Sequence, residues 1–384
     1  MNDYQTLYLV FVLLYLAECV KWTHRYSILI YSAIGNYWHV KFASNSLGNR
    51  TGGFAFNNPI PPLGYLFHYR PLPFSISPTA ITSFITQVLT DGGQPKQLKR
   101  VFQFDQIKTV TQNSNHININ AELFLSCRSE ADAKKFIAII SELKAIDKNQ
   151  RARYITDFIS RQFDIQQIST TYKTYRKQTR ILRLLCNILW LYLLVLPLAI
   201  INYLGITPVV MWLGVSYVVF HLLTIIAFVI AFRQLQPDFM NADFYSRLAI
   251  ILLFPPATIR CIDLVTYDLF SDFHPLASLH VLASDSTKTM FAKKLLLDLS
   301  YPIFDESASP SIKETCDWYN TRQIEIIRKF LRDNNINPYE LLIPTFSESD
   351  QIKSYCPRCQ TGYSVTKGTC PDCGQIELIK VEQN

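Results

Sequence analysis

The chain has 384 residues, 49% hydrophobic and 17% charged, which is apolar for a soluble protein yet too polar for one made mostly of membrane spans. That length holds membrane helices plus two or three small soluble bodies and argues against a single compact domain. A net charge of +7 is modest for the length, and no basic stripe with interleaved aromatics occurs, so nucleic acid is not an expected partner.

The first element is YQTLYLVFVLLYLAECV, residues 4–20, an apolar run at the short limit for a bilayer span, followed by Lys21 and Arg25. A cleaved signal peptide is the rival. It fits poorly, because MNDYQ brings an acid where a basic region belongs, and Glu18 stands where a small residue precedes the cysteine of a lipoprotein cleavage site. The reading is an uncleaved transmembrane anchor with its N-terminus outside, which returns the next segment to the cytoplasm.

Residues 27–150 carry the punctuation of a β-rich module. Short apolar runs (SILIYSA, YWHVKFA, LGYLFHY, VFQFDQIKTV, HININAELFLSC) are separated by Gly, Pro and Asn clusters. GNRTGG is too short for a phosphate-binding loop and reads as a turn, and the Asn49 sequon carries no meaning in a cytoplasmic domain. In SEADAKKFIAIISELKAI, Ser129 and Asp132 approximate a capping box, and Phe136, Ile139, Ile140, Leu143 and Ile146 share one helical face. Strands closed by one such helix predict a small barrel with a plug. The segment PFSISPTAITSF, then FQFDQIKTV, a hairpin and the SEADAKKFIAIISEL helix, over residues 70–147, resembles the bacterial pleckstrin-homology-like domains attached to membrane helices. That resemblance implies a binding or oligomerisation scaffold rather than an enzyme, with no ligand specified.

Residues 151–183 keep a helical apolar spacing through Ile155, Phe158, Ile159, Ile165, Ile168, Tyr172 and Tyr175, and read as a basic juxtamembrane helix packed on the module. Lys173, Arg176, Lys177, Arg180 and Arg183 lead into two uncharged stretches, 184–203 and 208–232, each about the ~20 residues a bilayer core requires. They form a transmembrane hairpin, 184–232, with Arg233 after it; positive flanks place both ends in the cytoplasm. The sidedness rule accounts for the basic run, with recognition of anionic lipid or nucleic acid as the sharper alternative. The short run 247–260, broken by Pro255 and Pro256, reads as an interfacial or re-entrant segment whose prolines free backbone carbonyls that need another partner.

Residues 261–343 read as a helical cytoplasmic region. Asp263, Asp268, Asp272, His274, His280 and Asp285 could be drawn into an acid-base or metal site, but without the spacing of a helical ligand pair they read as a solvated face. His221, inside a span, reads as a neutral histidine bonded to a neighbouring helix. A helix starts at Ser309-Pro310 and runs to Arg332 with Ile324, Ile327, Phe330 and Leu331 on one side, stopped by Asn334, Asn335 and Pro338. A polar linker, 344–353, predicts that the terminal segment moves as a separate unit.

Nine cysteines, an odd number, do not make a disulfide framework; Cys127, Cys186, Cys261 and Cys316 read as buried small hydrophobes in a reducing compartment. In residues 354–382, SYCPRCQTGYSVTKGTCPDCGQ brings two Cys-Pro-x-Cys turns ten residues apart. Cys356, Cys359, Cys370 and Cys373 supply the four thiolates of a closed structural zinc site, which leaves no open position for catalysis. The segment resembles a short zinc ribbon, with strands at 363–366 and 376–381 and a turn at Gly368; Gln360 stands where that family often has glycine, and iron is the alternative metal.

The chain is therefore read as an α+β membrane protein with structural Zn²⁺ and no catalytic residues. Its function is a non-enzymatic scaffold or assembly adaptor in the bilayer, in a bacterial cytoplasmic membrane, with a protein partner or a second copy of itself. A subunit of a transport or secretion complex is the first alternative, and a membrane enzyme using residues 263–285 the second.

Overall fold

The computed structural model describes residues 3–21, 28–32, 38–42, 64–67, 74–87, 96–127, 130–197, 207–236, 242–270, 272–283, 285–302, 304, 308–344, 346, 352–373 and 376–381. The turn at 48–53, Asn49, Ser129 and the stretch 198–206 lie outside them. The chain forms two compact units, one from Met1–Pro71 with Asp164–Thr287, the other from Leu72–Phe163 with Lys288–Asn384. The boundary at residue 71 falls inside the 27–150 module read from the sequence.

In the first unit, an antiparallel sheet has Ile28–Ser32 at its centre between Trp38–Phe42 and Gly64–Phe67. Its remaining described elements are helices. The single helix expected over 151–183 is instead three: Lys148–Arg161, which belongs to the second unit, then Ile165–Gln178 and Arg180–Trp190. The first break is chemical, since the Asp164 carboxylate accepts from the Gln167 N–H at 2.9 Å and starts a new helix. At the second, the Thr179 hydroxyl donates to the Tyr175 carbonyl at 2.7 Å, and the axis turns by 58° into Arg180–Val195.

After Trp190 the helix widens into a π-turn, Leu191–Val195. The Tyr8 hydroxyl, from the N-terminal helix Asp3–Lys21, donates to the Leu194 carbonyl at 2.6 Å, and Tyr15 is buried with Leu189, Leu194 and Ile259. The next helix, Thr207–Leu235, contains the one segment among the described residues long and apolar enough by itself to cross a membrane, Val215–Leu235. Its outer side carries Val215, Val219, Leu222, Ile226 and Ile230, all about half exposed.

The proline pair has a defined local consequence. A continuous helix would send the N–H groups of residues 255 and 256 to the carbonyls of Ile251 and Leu252, and proline has no N–H to send. The helix therefore stops at Leu253, Phe254 is extended, and Pro255–Ile259 starts afresh with its prolines in the first turn. Both stranded carbonyls are taken by side chains: the Thr258 hydroxyl donates to Ile251 O at 2.6 Å, and His221 Nε2 lies 3.3 Å from Leu252 O. Tyr217 Oη stands 3.2 Å from His221 Nδ1, so both ring nitrogens have a partner.

The second unit begins with two separate three-stranded antiparallel sheets, Phe74–Ile76, Ala80–Gln87 and Lys96–Gln103, then Val110–Asn113, His116–Ile119 and Glu122–Ser126. Among the described residues no closed barrel joins them, contrary to the sequence expectation, because helices cover their apolar faces instead. Ala133, Ile139, Ile140 and Leu143 of Glu130–Ala145 and Ile155 and Ile159 of Lys148–Arg161 pack on Phe74, Ile81, Phe104, Ile117 and Phe124. Buried Arg151 staples this body, donating to the carbonyls of Leu143 at 2.7 Å and Pro78 at 3.2 Å, with its guanidinium 4.6 Å from the centre of the Phe104 ring.

The same core is closed by the C-terminal half of the chain. Pro310–Asp333 buries Ile312, Cys316, Tyr319, Ile327, Phe330 and Leu331, while Ile324 is half-buried. Cys316 Sγ sits 3.6 Å from Ser75 Oγ, and the Phe330 ring centre 5.0 Å from that of Phe163. The helix ends where the asparagines were expected to stop it: Asn335 takes a left-handed φ of 59° and the Asn334 side chain donates to the Phe330 carbonyl.

Leaving either proline-freed carbonyl unpaired costs about 1–3 kcal/mol. His221→Leu and Thr258→Val should each lower thermal stability in detergent, whereas His221→Gln, which keeps a donor, should recover most of the loss; equal stability of His221→Leu and wild type would remove the carbonyl argument.

Candidate metal centre

The terminal segment folds as a three-stranded antiparallel sheet with Ser354–Tyr355 in the middle, flanked by Gly362–Tyr363 and Ile379–Lys380. The central strand, immediately before the first knuckle, was not foreseen, and the two flanking strands are shorter than expected. A single bridge between Thr369 and Glu377 ties the second knuckle. Gly368 turns the chain between the knuckles at φ 147°, a conformation that side chains disfavour. A Cβ at Gly362 would come within 2.5 Å of the Ile352 side chain, so the sheet requires glycine there as well.

These turns bring the sulfur atoms of Cys356, Cys359, Cys370 and Cys373 within 4.8 Å of one another. A zinc ion with four bonds of about 2.3 Å needs sulfurs about 3.8 Å apart. The Cys359–Cys370 separation of 3.7 Å matches that span and no pair exceeds 4.8 Å, so the donor set is close enough to gather on a tetrahedral metal. Cys356 and Cys370 are buried and Cys359 is exposed.

Neighbouring groups aim the sulfurs. The Tyr363 hydroxyl lies 3.2 Å from Cys370 Sγ, the Cys373 N–H donates to the same sulfur at 3.3 Å, and the Thr361 hydroxyl stands 3.2 Å from Cys359 Sγ. Although burial opposes ionisation, the Tyr363 hydroxyl and the N–H groups of Cys373 and Asp372 bring the Cys370 thiol down to about 7. Burial first, with contributions from neighbouring thiols, holds Cys356 and Cys373 above the ordinary thiol range. Four thiolates cannot share this volume without a cation, so metal binding displaces protons.

The clip, expected to be a separate unit, is tied to the chain before it. Arg358, inside the first knuckle, donates to the Tyr301 carbonyl at 3.0 Å and pairs with Asp298 at 3.2 Å; Asp298 also meets Lys294 at 3.3 Å. Both partners of the Arg358–Asp298 pair are largely buried, and they sit at the C-terminal end of the helix Asp285–Ser300, where a cation is favoured. Gln360 takes a left-handed φ of 59° without being glycine, and its side-chain amide donates to the Leu342 carbonyl at 2.8 Å. The departure from glycine was visible in the sequence; the bond that uses the extra side chain was not.

The other candidate groups are not brought together. Asp263 is fully buried against Arg260 at 2.6 Å. His274 caps the helix Pro275–Leu282, its Nδ1 accepting from the Leu276 N–H at 3.2 Å, and burial lowers its pKa to about 3, which removes it from acid-base work at neutral pH. Asp272 and Asp285 are exposed, and the Asp268 side chain lies outside the described residues. Among the described residues, the four cysteines are the only group of three or more His, Cys, Asp or Glu side chains placed to share a metal. Cys127, Cys186, Cys261 and Cys316 form no disulfide and are buried, as expected, and burial, then Asp132, pushes Cys127 up to about 12.

No protein-family model matches the chain, and comparison with the curated proteins and with the solved structures returns no match.

Purified protein should carry one metal ion per chain by elemental analysis, and Cys356→Ser/Cys359→Ser none; equal metal content in both would dissolve the site. Since the first thiol to ionise does so at about 7, metal retention against a chelator should weaken as pH falls through that value and strengthen above it. Arg358→Ala should keep the metal yet make residues 352–381 more susceptible to limited proteolysis, and unchanged cleavage would leave Arg358 without its docking role.

Proposed function

We propose that the chain is an integral membrane scaffold or assembly adaptor whose soluble unit, clamped at its end by a zinc-holding ribbon, offers a rigid docking surface to another protein on one side of the bilayer. The observation that carries this reading is one of connectivity. Leu72–Phe163 and Lys288–Asn384 form one compact unit, so the chain between them must leave and return on the same side of any membrane. That requires an even number of crossings in Asp164–Thr287. The apolar stretch 184–203 and the helix Thr207–Leu235 supply two, and the broken helix at 247–260 then lies at the interface without crossing. The exposed apolar sides of Gln5–Glu18 and Val215–Leu235 support burial in lipid, where such surfaces carry no cost. Tyr8 and Tyr15, held against Leu194 and Leu189, support a retained N-terminal anchor rather than a cleaved leader.

Zinc fits the donor set and supplies a crosslink to a segment too small to hold itself together. Its thiolates leave no open position, so the ribbon's part is structural. Among the described residues eight cysteines form no disulfide, which supports a reducing compartment, on the cytoplasmic face of a bacterial membrane.

Topology reporters fused after Phe163 and after Asn384 should both report the cytoplasmic side, and opposite sides would refute the even crossing. Tagged wild-type protein captured from mildly solubilised membranes should bring a stoichiometric partner that Cys356→Ser/Cys359→Ser loses. Recovery of both forms alone, at equal yield, would end the adaptor reading.

A further inference from the structure

We infer that the Ile165–Gln178 helix, with the first turn of the next helix, is a docking surface for anionic phospholipid headgroups. This inference rests on the membrane reading above and specifies a ligand for it. Between Ile165 and Ile188 the sequence contains five cations and no acid. Lys173, Arg176, Lys177 and Arg180 are exposed, and Arg183 is anchored beside them, its guanidinium 6.0 Å from the Tyr175 ring and donating to the Arg176 carbonyl at 3.1 Å. Immediately beyond, Ile181 and Leu184 are 67% and 58% exposed, so the polar-to-apolar change occurs within one turn. Such a change belongs at the headgroup level of a bilayer.

The bend decides between a surface and a stalk. For a membrane helix along the bilayer normal, a straight continuation would raise Lys173 about 9 Å above Thr179, at 1.5 Å per residue. The observed 58° bend halves that to about 5 Å, within reach of a lysine side chain and inside the ~8 Å over which charge acts at physiological salt. Favourable placement near the helix carbonyl end accounts for Arg176 and Lys177, but not for Lys173 or Arg180. The inward side of the helix is occupied: Ile168, Tyr175 and Thr179 are buried. Asp263, the acid that acts on Tyr175, is itself buried against Arg260.

The aromatic residues weigh against nucleic acid as the occupant. A single strand needs exposed rings on which bases stack. Tyr175 is buried, and half-buried Tyr172 stacks on it with ring centres 6.2 Å apart, so the two do not form a row of exposed rings. What the surface presents is cationic side chains at the depth of lipid phosphates, with arginines able to take two phosphate oxygens at once.

The test uses the full chain in nanodiscs of phosphatidylcholine alone, or with roughly a third phosphatidylglycerol. Amide hydrogen exchange over residues 165–183 should slow by roughly three- to tenfold in the anionic discs. The effect should vanish in high salt and in Lys173→Gln/Arg176→Gln/Lys177→Gln, with exchange in Val215–Leu235 unchanged throughout. Equal exchange in both discs, or anionic protection surviving the triple substitution, overturns the lipid surface. Protection in neutral discs on adding single-stranded RNA, without a response to phosphatidylglycerol, assigns the surface to nucleic acid and overturns it as well. Alkaline extraction of native membranes separates the two layers of the argument: a chain that washes off defeats the membrane reading itself, whereas one that stays while the discs show no lipid preference defeats only the headgroup surface.

Discussion

The Pro310–Asp333 helix must seat itself on strands laid down far earlier in the chain, Cys316 meeting Ser75 across 241 residues, and much of the architecture depends on that closure. Closing a loop as long as the one between Phe163 and Lys288 costs about 4 kcal/mol in chain entropy. Burying Ile312, Ile327, Phe330 and Leu331 returns about 1.5–3 kcal/mol each, an upper estimate because unfolded chains already hide some of that surface. Those burials exceed the loop-closure cost taken by itself. Closure also constrains the intervening chain, since whatever lies between the two halves must begin and end at the same body.

Within that intervening chain the dominant rule is that no backbone polar group goes unpaired where water is excluded. The paired prolines violate a continuous helix at two carbonyls, and two side chains from different places in the chain answer them, Thr258 from the next turn and His221 from the apolar helix. A histidine in such a helix invites a proton-carrying interpretation. Here both ring nitrogens are already engaged, and the ring serves the backbone.

Much of this was legible in the sequence, and the reasons for the failures are specific. The cysteine spacing pointed to the four thiols that the fold gathers, because four thiols in two tight turns have few other uses. The apolar periodicity of Glu130–Ala145 and the asparagine stop after Asp333 came from local rules, and the carbonyls freed by Pro255 and Pro256 were foreseen while their partners were not. Breaks at Asp164 and Thr179 were missed because apolar spacing continues through both, and only a side chain turned back on the backbone marks the interruption. The ribbon's attachment was missed for a different reason. A polar sequence such as residues 344–353 reads as a linker, and nothing in it discloses that Arg358 and Gln360 find partners at Asp298 and Leu342. Likewise, alternating strands cannot declare whether they close on one another or are covered by helices, so a barrel was expected where two sheets stand.

The split construction of the second unit has a consequence in time. A ribosome adds roughly 5–20 residues per second, so after Phe163 has been made about 10–35 seconds pass before Asp333 exists. During that interval the face around Ser75 lacks the cover that Pro310–Asp333 later supplies. The newborn chain is thus a half-built body with an apolar surface open to its neighbours on the polysome. The folded structure, once closed, keeps no trace of that risk.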